Sequence, residues 1–551
     1  MTMTDNQRLA ELLFPHVKET PAQVLEQTFP QRQQKEGAVV TRFAPSPTGF
    51  LHIGGVFTAM VGERAAHSSG GKVILRIEDT DKKREVEGGV DMIVQGLKDF
   101  GIAFDEGAGL NGTESGDYGP YTQSKRGYYY HVFCKDLVEK GLAYPCFCTA
   151  EELEAIRNAQ EAAGLTPGYW GDHAKCRNLS LEEVEANLQQ GKPYVMRLRS
   201  PGKPGGRVKY KDIIRGDIEM EENFADVVLL KSDGIPTYHF AHVVDDTLMR
   251  VNHVIRADEW IASVPIHLQM FWLCGQKAPK YAHVSPIMKE ENGARRKLSK
   301  RKDPEAAVSY FVEEGYPSDA VVEYLLTIAN SNFEDWRKQN KTASCWEFPF
   351  QLKKMSASGA LFDHVKLDSV SGEVISRMTA EEVYAQAAAW AERFDPALYA
   401  CLTADADYSK ALFAIDRGGK KPRKDILRWK DVAAYTAYFF DETFALEDAA
   451  EMEPALQKQV LEAYLAVVDA ADDKDTWFGK IKEICEPLGF SPDVKAYKAA
   501  PEQFKGHVGD VSGVIRIALT GRKNTPDLHA IMALLGQERC LKRLNDYMHT
   551  L

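Results

Sequence analysis

No stretch of this chain approaches the roughly 18 apolar residues in a row that a membrane-spanning helix requires, and its hydrophobic fraction, 44%, is that of an ordinary globular protein. The opening residues, MTMTDNQRLAELL, have neither the basic region nor the apolar core of a secretory leader, so the expectation is a cytoplasmic protein. A disulfide framework is also missing: nine cysteines, an odd number at scattered spacing, do not pair into one, and a cytoplasmic redox potential would oppose it. The chain lacks an excess of positive charge. Its net charge of −12 argues against a generic nucleic-acid coat but not against an RNA enzyme, because backbone contacts need local basic patches rather than a basic whole. Such patches are present in RRKLSKRK (295–302), GKPGGRVKYK (202–211) and RGGKKPRK (417–424), each of which also reads as a solvated loop. Low-complexity segments and internal repeats are absent. At 551 residues the chain exceeds the roughly 250 to 300 that one core fills, which predicts three or more domains.

Residues 1–37 read as an amphipathic helical extension (Leu9, Leu12, Leu13, Val24, Leu25) followed by the polar QRQQKEG. From Ala38 the pattern becomes strand, proline-rich loop, helix near Ile53 to Phe57, then a second strand in KVILRIEDTD, as in a doubly wound α/β sheet. A core of 38–125 and 226–316 is therefore interrupted by an insertion, 126–225, with a helix around Glu151 to Ala163 and strands in YVMRLRS and VLLKS. The core resumes at DGIPTYHFAHVVDD and continues through HVIRADEW and HVSPIMKEE. After Pro317 the pattern is almost wholly helical, with amphipathic segments at 380–393 and 456–471; regions 317–395 and 396–551 are expected there.

Two short strings carry chemistry. HIGG at 52–55 opens a helix, whose N-terminus offers unpaired backbone N–H groups and a positive dipole end to phosphate. Gly54 and Gly55 let the backbone come close, and His52 can donate to an α-phosphate as charge develops there. By itself such a string also fits any strand-to-helix turn. KLSKRK at 297–302, 245 residues later (297 − 52), sets Lys297 and Lys300 three residues apart, so that two ammonium groups can converge on a triphosphate.

In context, RFAPSPTGFLHIGG and KLSKRK resemble the two signatures of glutamyl-tRNA synthetases, a bacterial-type branch of the class I aminoacyl-tRNA synthetases. RIEDTD (76–81), DGIPTYHFAHVVDD (233–246) and VIRADEW (254–260) resemble that family in the same order, and GVIRIALTGRKNTPDLHAIMALLG (513–536) is similar to its anticodon-binding domain. The resemblance implies a Rossmann-like core, an inserted acceptor-stem-binding domain (126–225), a helical stem-contact region (317–395) and an all-α anticodon-binding region (396–551). It implies ATP-dependent ligation of L-glutamate to tRNA-Glu through a glutamyl-adenylate, ATP with Mg²⁺, activation that depends on bound tRNA, and a monomer. Catalytic roles fall on His52, Lys297 and Lys300. Glutamate contacts fall on Arg42, Ala44, Ser46, Glu78, Tyr238 and Arg256, and ATP contacts on His52, Gly54, Gly55, Glu259, Trp260, Lys297, Ser299 and Lys300.

Physical chemistry agrees with these residue types. A guanidinium fork suits a side-chain carboxylate, and a carboxylate at Glu78 suits an α-ammonium. An amide would leave guanidinium donors poorly paired, which favours glutamate over glutamine by as much as about 10⁴ in good cases. Three positions depart from the family or its class: His242 stands where relatives often have Asn or Val, Ala257 where they often have Gly, and Gly55 where the general class I pattern ends in His. His242 is assigned no role.

Some relatives hold structural zinc in the insertion through Cys-x-Cys, a Tyr and a later Cys. This chain retains Cys146, Cys148 and Cys176, with Tyr169 or His173 as fourth ligand, against a reading as three reduced thiols. Charging of tRNA-Gln as well as tRNA-Glu stays open, since base preference lies in contacts near 415–440. The long helical tail argues against a catalytic-half paralogue that modifies tRNA. Arg42, Glu78 and Arg256 argue against a small nucleotidyltransferase, and intact His52, Lys297 and Lys300 against an inactive RNA-binding protein.

Overall fold

The computed structural model describes residues 3–49, 51–81, 84–299, 301–419 and 422–551. Two compact units divide the chain: Met1–Tyr310 with Val322–Asp363, and Phe311–Val321 with His364–Leu551. This division falls elsewhere than the boundaries at 317 and 396 expected from helical periodicity, because periodicity records which face of a helix is apolar but not which core receives it.

In the first unit the strand Val40–Phe43 runs parallel to Lys72–Leu75, which runs parallel to Glu106–Ala108; the short strand Glu114–Ser115 closes the edge antiparallel. A second sheet orders His253–Ala257, Lys280–Val284, Arg207–Asp212 and Gly216–Glu221, the first three parallel and the last antiparallel. Asn252 stitches the two sheets. Val40 N–H donates to its Oδ1 at 2.8 Å, its own N–H donates to Val40 O at 3.0 Å, and its Nδ2 donates to Ala38 O at 2.9 Å. The first strand thus neighbours His253–Ala257, and the topology switches direction between them, which opens a crevice beyond their carboxyl ends. Helix Ile53–Ser68 follows the first strand and is buried around most of its circumference, including Val56, Phe57, Met60 and Val61, so it carries no amphipathic stripe.

The N-terminal segment is not an appended element. It forms two helices, Asp5–Leu13 and Pro21–Gln27, each opened by a Thr/Gln capping box. Leu13, Phe14, Val17, Val24 and Phe29 join the same apolar cluster as Tyr130, Phe133 and Phe240 of the core, while Leu12 stays 45% exposed. Arg32 fastens the segment through both oxygens of Glu106, at 2.5 and 3.0 Å.

In the insertion, Ala143–Cys146, Val195–Leu198 and Val228–Leu230 form an antiparallel sheet beside the helix Ala150–Ala162. The hairpin Arg207–Glu221 lies within the span expected as insertion yet joins the core sheet, with Asp212 opposite Tyr281. The stretch HVSPIMKEE spans two strands. Lys280–Val284 ends in the core, and a hairpin of Met288–Glu291 with Ala294–Lys297 follows. Its turn, Asn292 (φ 53°) and Gly293 (φ 77°), has the positive φ values that match the twist of a two-residue hairpin, as an Asn-Gly pair favours.

The second unit is helical throughout its described residues, around a core that includes Val383, Ala387, Trp429, Tyr464, Ile481, Ile515 and Leu544. The segments expected at 380–393 and 456–471 are the helices Ala380–Phe394 and Pro454–Leu465. The second ends at Leu465, short of 471, and a separate helix, Lys474–Leu488, opens where Asp473 caps it by accepting from Asp475 and Thr476 N–H.

Candidate active site

The carboxyl ends of Val40–Phe43, His253–Ala257 and Lys280–Val284 open into a cavity of about 1140 Å³. Its lining includes Arg42, Ala44, Ser46, His52, Gly54, Gly55, Glu78, Tyr238, Arg256, Glu259, Trp260 and Lys297. Tertiary folding thus gathers every described residue expected to contact glutamate or ATP except Ser299, whose N–H is turned to Asp303 Oδ2 at 2.9 Å. Lys300 lies outside the described residues.

His52 is the N-cap of helix Ile53–Ser68. Its Nδ1 accepts from Gly54 N–H at 2.9 Å, which places the neutral imidazole's proton on Nε2, the nitrogen with which it can donate. A Cβ on Gly54 would lie 3.1 Å from that Nδ1, so glycine keeps the cap relaxed. The two motifs are tied by backbone: Val308 N–H, just past the second, donates to Leu51 O at 3.3 Å, and Ala307 bridges to His52. Asp303 pins the intervening loop through Arg296, at 2.5 and 2.8 Å. At the rim Lys297 Nζ lies 2.7 Å from Glu259 Oε2, with both side chains more than half exposed. Such a pair is worth about 0 to 1 kcal/mol and is readily exchanged for a phosphate.

A buried charge network lies beneath the cavity. Asp246 accepts from Arg42 Nε (3.1 and 3.2 Å) and from Arg76 Nη1 (2.6 Å), and Arg76 Nη2 donates to Glu78 at 3.2 Å. Asp245 in turn accepts from Arg126 Nε (2.6 Å), Gln123 Nε2 and the Tyr130 hydroxyl. Burial pushes the Glu78 carboxyl above its ordinary range even though Arg76 and Arg42 pull it down. His242 Nδ1 sits 2.9 Å from Asp246, and burial drives its pKa down to about 4, so the imidazole is neutral. The sequence motif gives Asp245 and Asp246 no role; two adjacent acids directly after the apolar pair Val243–Val244 were the available signal.

The two arginines expected to offer guanidinium forks differ. Among the described residues the hydrogen bonds of Arg42 leave only from Nε, so both terminal amino groups remain for the cavity. Arg256 has committed four of its five N–H donors. Nε donates to His283 Nε2 (3.2 Å), Nη1 to the Tyr238 hydroxyl (3.4 Å), and Nη2 to Trp260 O and His267 Nδ1 (both 3.3 Å). Every one of these acceptors is neutral, and among the described residues no carboxylate pairs with this 5%-exposed guanidinium. Trp260 packs on Tyr238 with ring centroids 4.2 Å apart, making a flat wall beside it.

The three cysteines cluster in the insertion, with their sulfurs all within 4.8 Å of one another. Cys148 Sγ lies 3.7 Å from Cys176 Sγ and 3.2 Å from the Tyr169 hydroxyl. Four ligands around zinc at about 2.3 Å place sulfurs about 3.8 Å apart, so the donor set fits the metal. Tyr169, not His173, lies beside the sulfurs, and the Arg197 guanidinium sits over its ring at 4.2 Å. Of the basic patch at 417–424, Arg417 is bonded to three carbonyls, Arg423 to Asp425 and Lys424 to Glu373; Lys420 and Lys421 lie outside the described residues.

A switch-point cavity flanked by these two motifs defines a class I tRNA synthetase core, and the family model described as "tRNA synthetases class I (E and Q), catalytic domain" matches residues 38–369. A second model, "Anticodon binding domain", matches residues 494–548. Glutamate–tRNA ligase of Clostridium perfringens (strain SM101 / Type A) is 51% identical over 548 residues, covering 98% of this chain and 99% of that protein. The Acetivibrio thermocellus enzyme of the same name is 48% identical, covering 98% and 99%. Among solved structures, a glutamate tRNA ligase from Elizabethkingia meningosepticum in complex with its amino acid superposes with a TM-score of 0.74 at 29% identity, covering 93% of this chain and 99% of that one. The chain belongs to the glutamate–tRNA ligase family and is an enzyme that joins glutamate to tRNA. No helix among its described residues is long and apolar enough to cross a membrane.

Proposed function

We propose that the cavity activates L-glutamate with ATP and Mg²⁺ and that the chain then transfers it to tRNA-Glu. The α-carboxylate attacks the α-phosphorus, pyrophosphate leaves, and a glutamyl-adenylate forms. A terminal ribose hydroxyl of the tRNA then attacks the mixed anhydride and releases AMP. His52 Nε2–H and the lysines Lys297 and Lys300 stabilise charge on the phosphates; Gly54 and Gly55 admit them to the helix N-terminus, and Trp260 and Glu259 border the nucleotide. Arg42 presents its fork to the substrate carboxylate, Arg256 supplies one N–H and a full charge, Tyr238 lines the pocket, and Glu78 holds the α-ammonium. Ala44 and Ser46, on the proline-rich loop, complete the wall.

The observation that carries this reading is Arg256, a nearly buried cation surrounded by neutral acceptors. A buried charge without a counter-ion is costly, so a site built this way calls for an anion from the ligand. Glutamate brings a side-chain carboxylate, where glutamine has a neutral amide.

Zinc, held by Cys146, Cys148, Cys176 and Tyr169, would supply a structural clamp for the inserted domain and no chemistry at the cavity. The insertion is assigned to the acceptor end of the tRNA, and the helices from Pro317 onward to its stem and anticodon. Charging tRNA-Glu and tRNA-Gln transcripts in parallel with glutamate, ATP and Mg²⁺ tests the whole reading. Charging of tRNA-Glu alone is expected; charging of both would make the enzyme non-discriminating, and charging of neither would overturn the proposal.

A further inference from the structure

Behind Arg256 the structure holds a dyad that no motif contains. We infer that Asp212 and His283 are positioning residues that fix Arg256 Nε, so that the hairpin Arg207–Glu221 sets the geometry of the glutamate pocket. The inference deepens the reading above and rests on Arg256 contacting the substrate carboxylate.

Sheet register makes the arrangement. Arg256 stands directly opposite His283 on the neighbouring parallel strand, and the next strand brings Asp212 opposite Tyr281. Asp212 and His283 are fully buried. His283 Nδ1 lies 2.7 Å from Asp212 Oδ2, which also accepts the His283 backbone N–H at 3.1 Å. A carboxylate only accepts, so Nδ1 carries the proton, and Nε2 of the neutral ring is left to accept from Arg256 Nε at 3.2 Å. Burial keeps His283 below its ordinary pKa, in keeping with a neutral ring. The Tyr281 ring lies parallel to His283, at 8° with centroids 5.8 Å apart.

The other oxygen of Asp212 accepts from Ile214 and Arg215 N–H, both at 2.9 Å, so the hairpin's own turn orients the carboxylate. From that turn Arg215 donates to Asp258 Oδ2 at 2.9 Å and to Ser285 Oγ at 2.8 Å, and Ser285 lines the cavity. The hairpin is therefore fastened to the site at two points. Neutral imidazole suits this place because an acid there would quench the charge that the substrate must meet, whereas a hydrogen-bond acceptor aims the guanidinium and leaves its charge intact.

Steady-state aminoacylation of tRNA-Glu by the full-length enzyme tests the dyad in three variants. His283→Leu removes the acceptor. Asp212→Asn keeps an oxygen for the turn but turns an amide toward Nδ1, which drives the His283 proton to Nε2 against Arg256 Nε–H. His283→Gln can still accept from Arg256 and donate to Asp212. Loss of one hydrogen bond to a charged group predicts a rise of about tenfold or more in KM for glutamate for the first two variants. KM for ATP and for tRNA should stay within about twofold, melting temperature should be near wild type, and His283→Gln should recover most of the loss. If His283→Leu does not fold, Asp212→Asn reads the same outcome. A general rise in all KM values without rescue by His283→Gln would show a merely structural role and overturn the inference. So would an unchanged KM for glutamate in folded variants while Arg256→Met raises it. If Arg256→Met also leaves that KM unchanged, the pocket reading itself fails, and the inference with it.

Discussion

Replacing Arg256 with Met removes the guanidinium and keeps an unbranched apolar side chain of similar reach. Among the described residues Arg256 has one uncommitted N–H and no carboxylate partner, so what the substrate loses is one charge-assisted hydrogen bond and the surrounding cationic field. A hydrogen bond to a charged group is worth about 1.5 to 3 kcal/mol, which at about 1.36 kcal/mol per factor of ten is roughly a 10- to 150-fold rise in KM for glutamate. Discrimination against glutamine should fall with it, because the wild-type cost of an amide is the unpaired cation. KM for ATP should hardly change, and the folded state should survive: no buried acid is stranded, and water from the cavity can reach the vacated imidazole nitrogens. The assay is aminoacylation of tRNA-Glu at varied glutamate, with glutamine as competitor and a melting curve alongside. A variant whose glutamate KM stays within twofold of wild type and whose preference over glutamine is intact would refute the reasoning.

Asp246→Ala should act in the opposite sense, on stability more than on affinity. It strands the Arg42 guanidinium and leaves Arg76 with only its longer pairs to Glu78 and Asp245, and breaking a buried pair from one side costs about 3 to 5 kcal/mol, so its melting temperature should drop well below that of Arg256→Met. Lys300→Ala should lower kcat at least tenfold with glutamate affinity little changed, since the lysine's charge counts most as the pentacovalent phosphorus forms; an unchanged kcat would end that assignment. Metal analysis of the purified protein should find about one zinc per chain, and Cys148→Ser should lose it and soften the insertion while KM for ATP stays put; metal-free protein with an unaltered melting curve would refute the clamp.

Much of the site was legible because its motifs are local. HIGG couples a helix N-cap to two glycines within one turn, and that geometry follows from backbone rules alone: His52 caps, Gly54 donates to it, and the helix runs on. The alternation of strand and helix after Ala38 likewise announces a doubly wound sheet. Less legible were elements whose meaning depends on a distant partner. RVKYKD alternates as any hairpin strand would, and only Asp212, the one residue turned fully inward, reveals that the hairpin belongs to the core. Leu9 to Leu25 showed an apolar face without showing that the catalytic unit itself would receive it.

By itself the sequence determined what sort of chemistry this chain can perform, since the residues that meet phosphate and carboxylate sit in short strings whose backbone conformation is set within a few residues. Tertiary structure decided how those residues divide the work. Arg42 and Arg256 are the same side chain in the same class of motif, yet one is anchored by Asp246 at Nε and keeps its fork, while the other is held by neutral groups on neighbouring elements and keeps its charge unpaired. That difference arises from sheet register and the helix packed beneath it, which bring Asp246 to Arg42 from 204 positions away and set His283 opposite Arg256 from 27, and no local pattern encodes such partners.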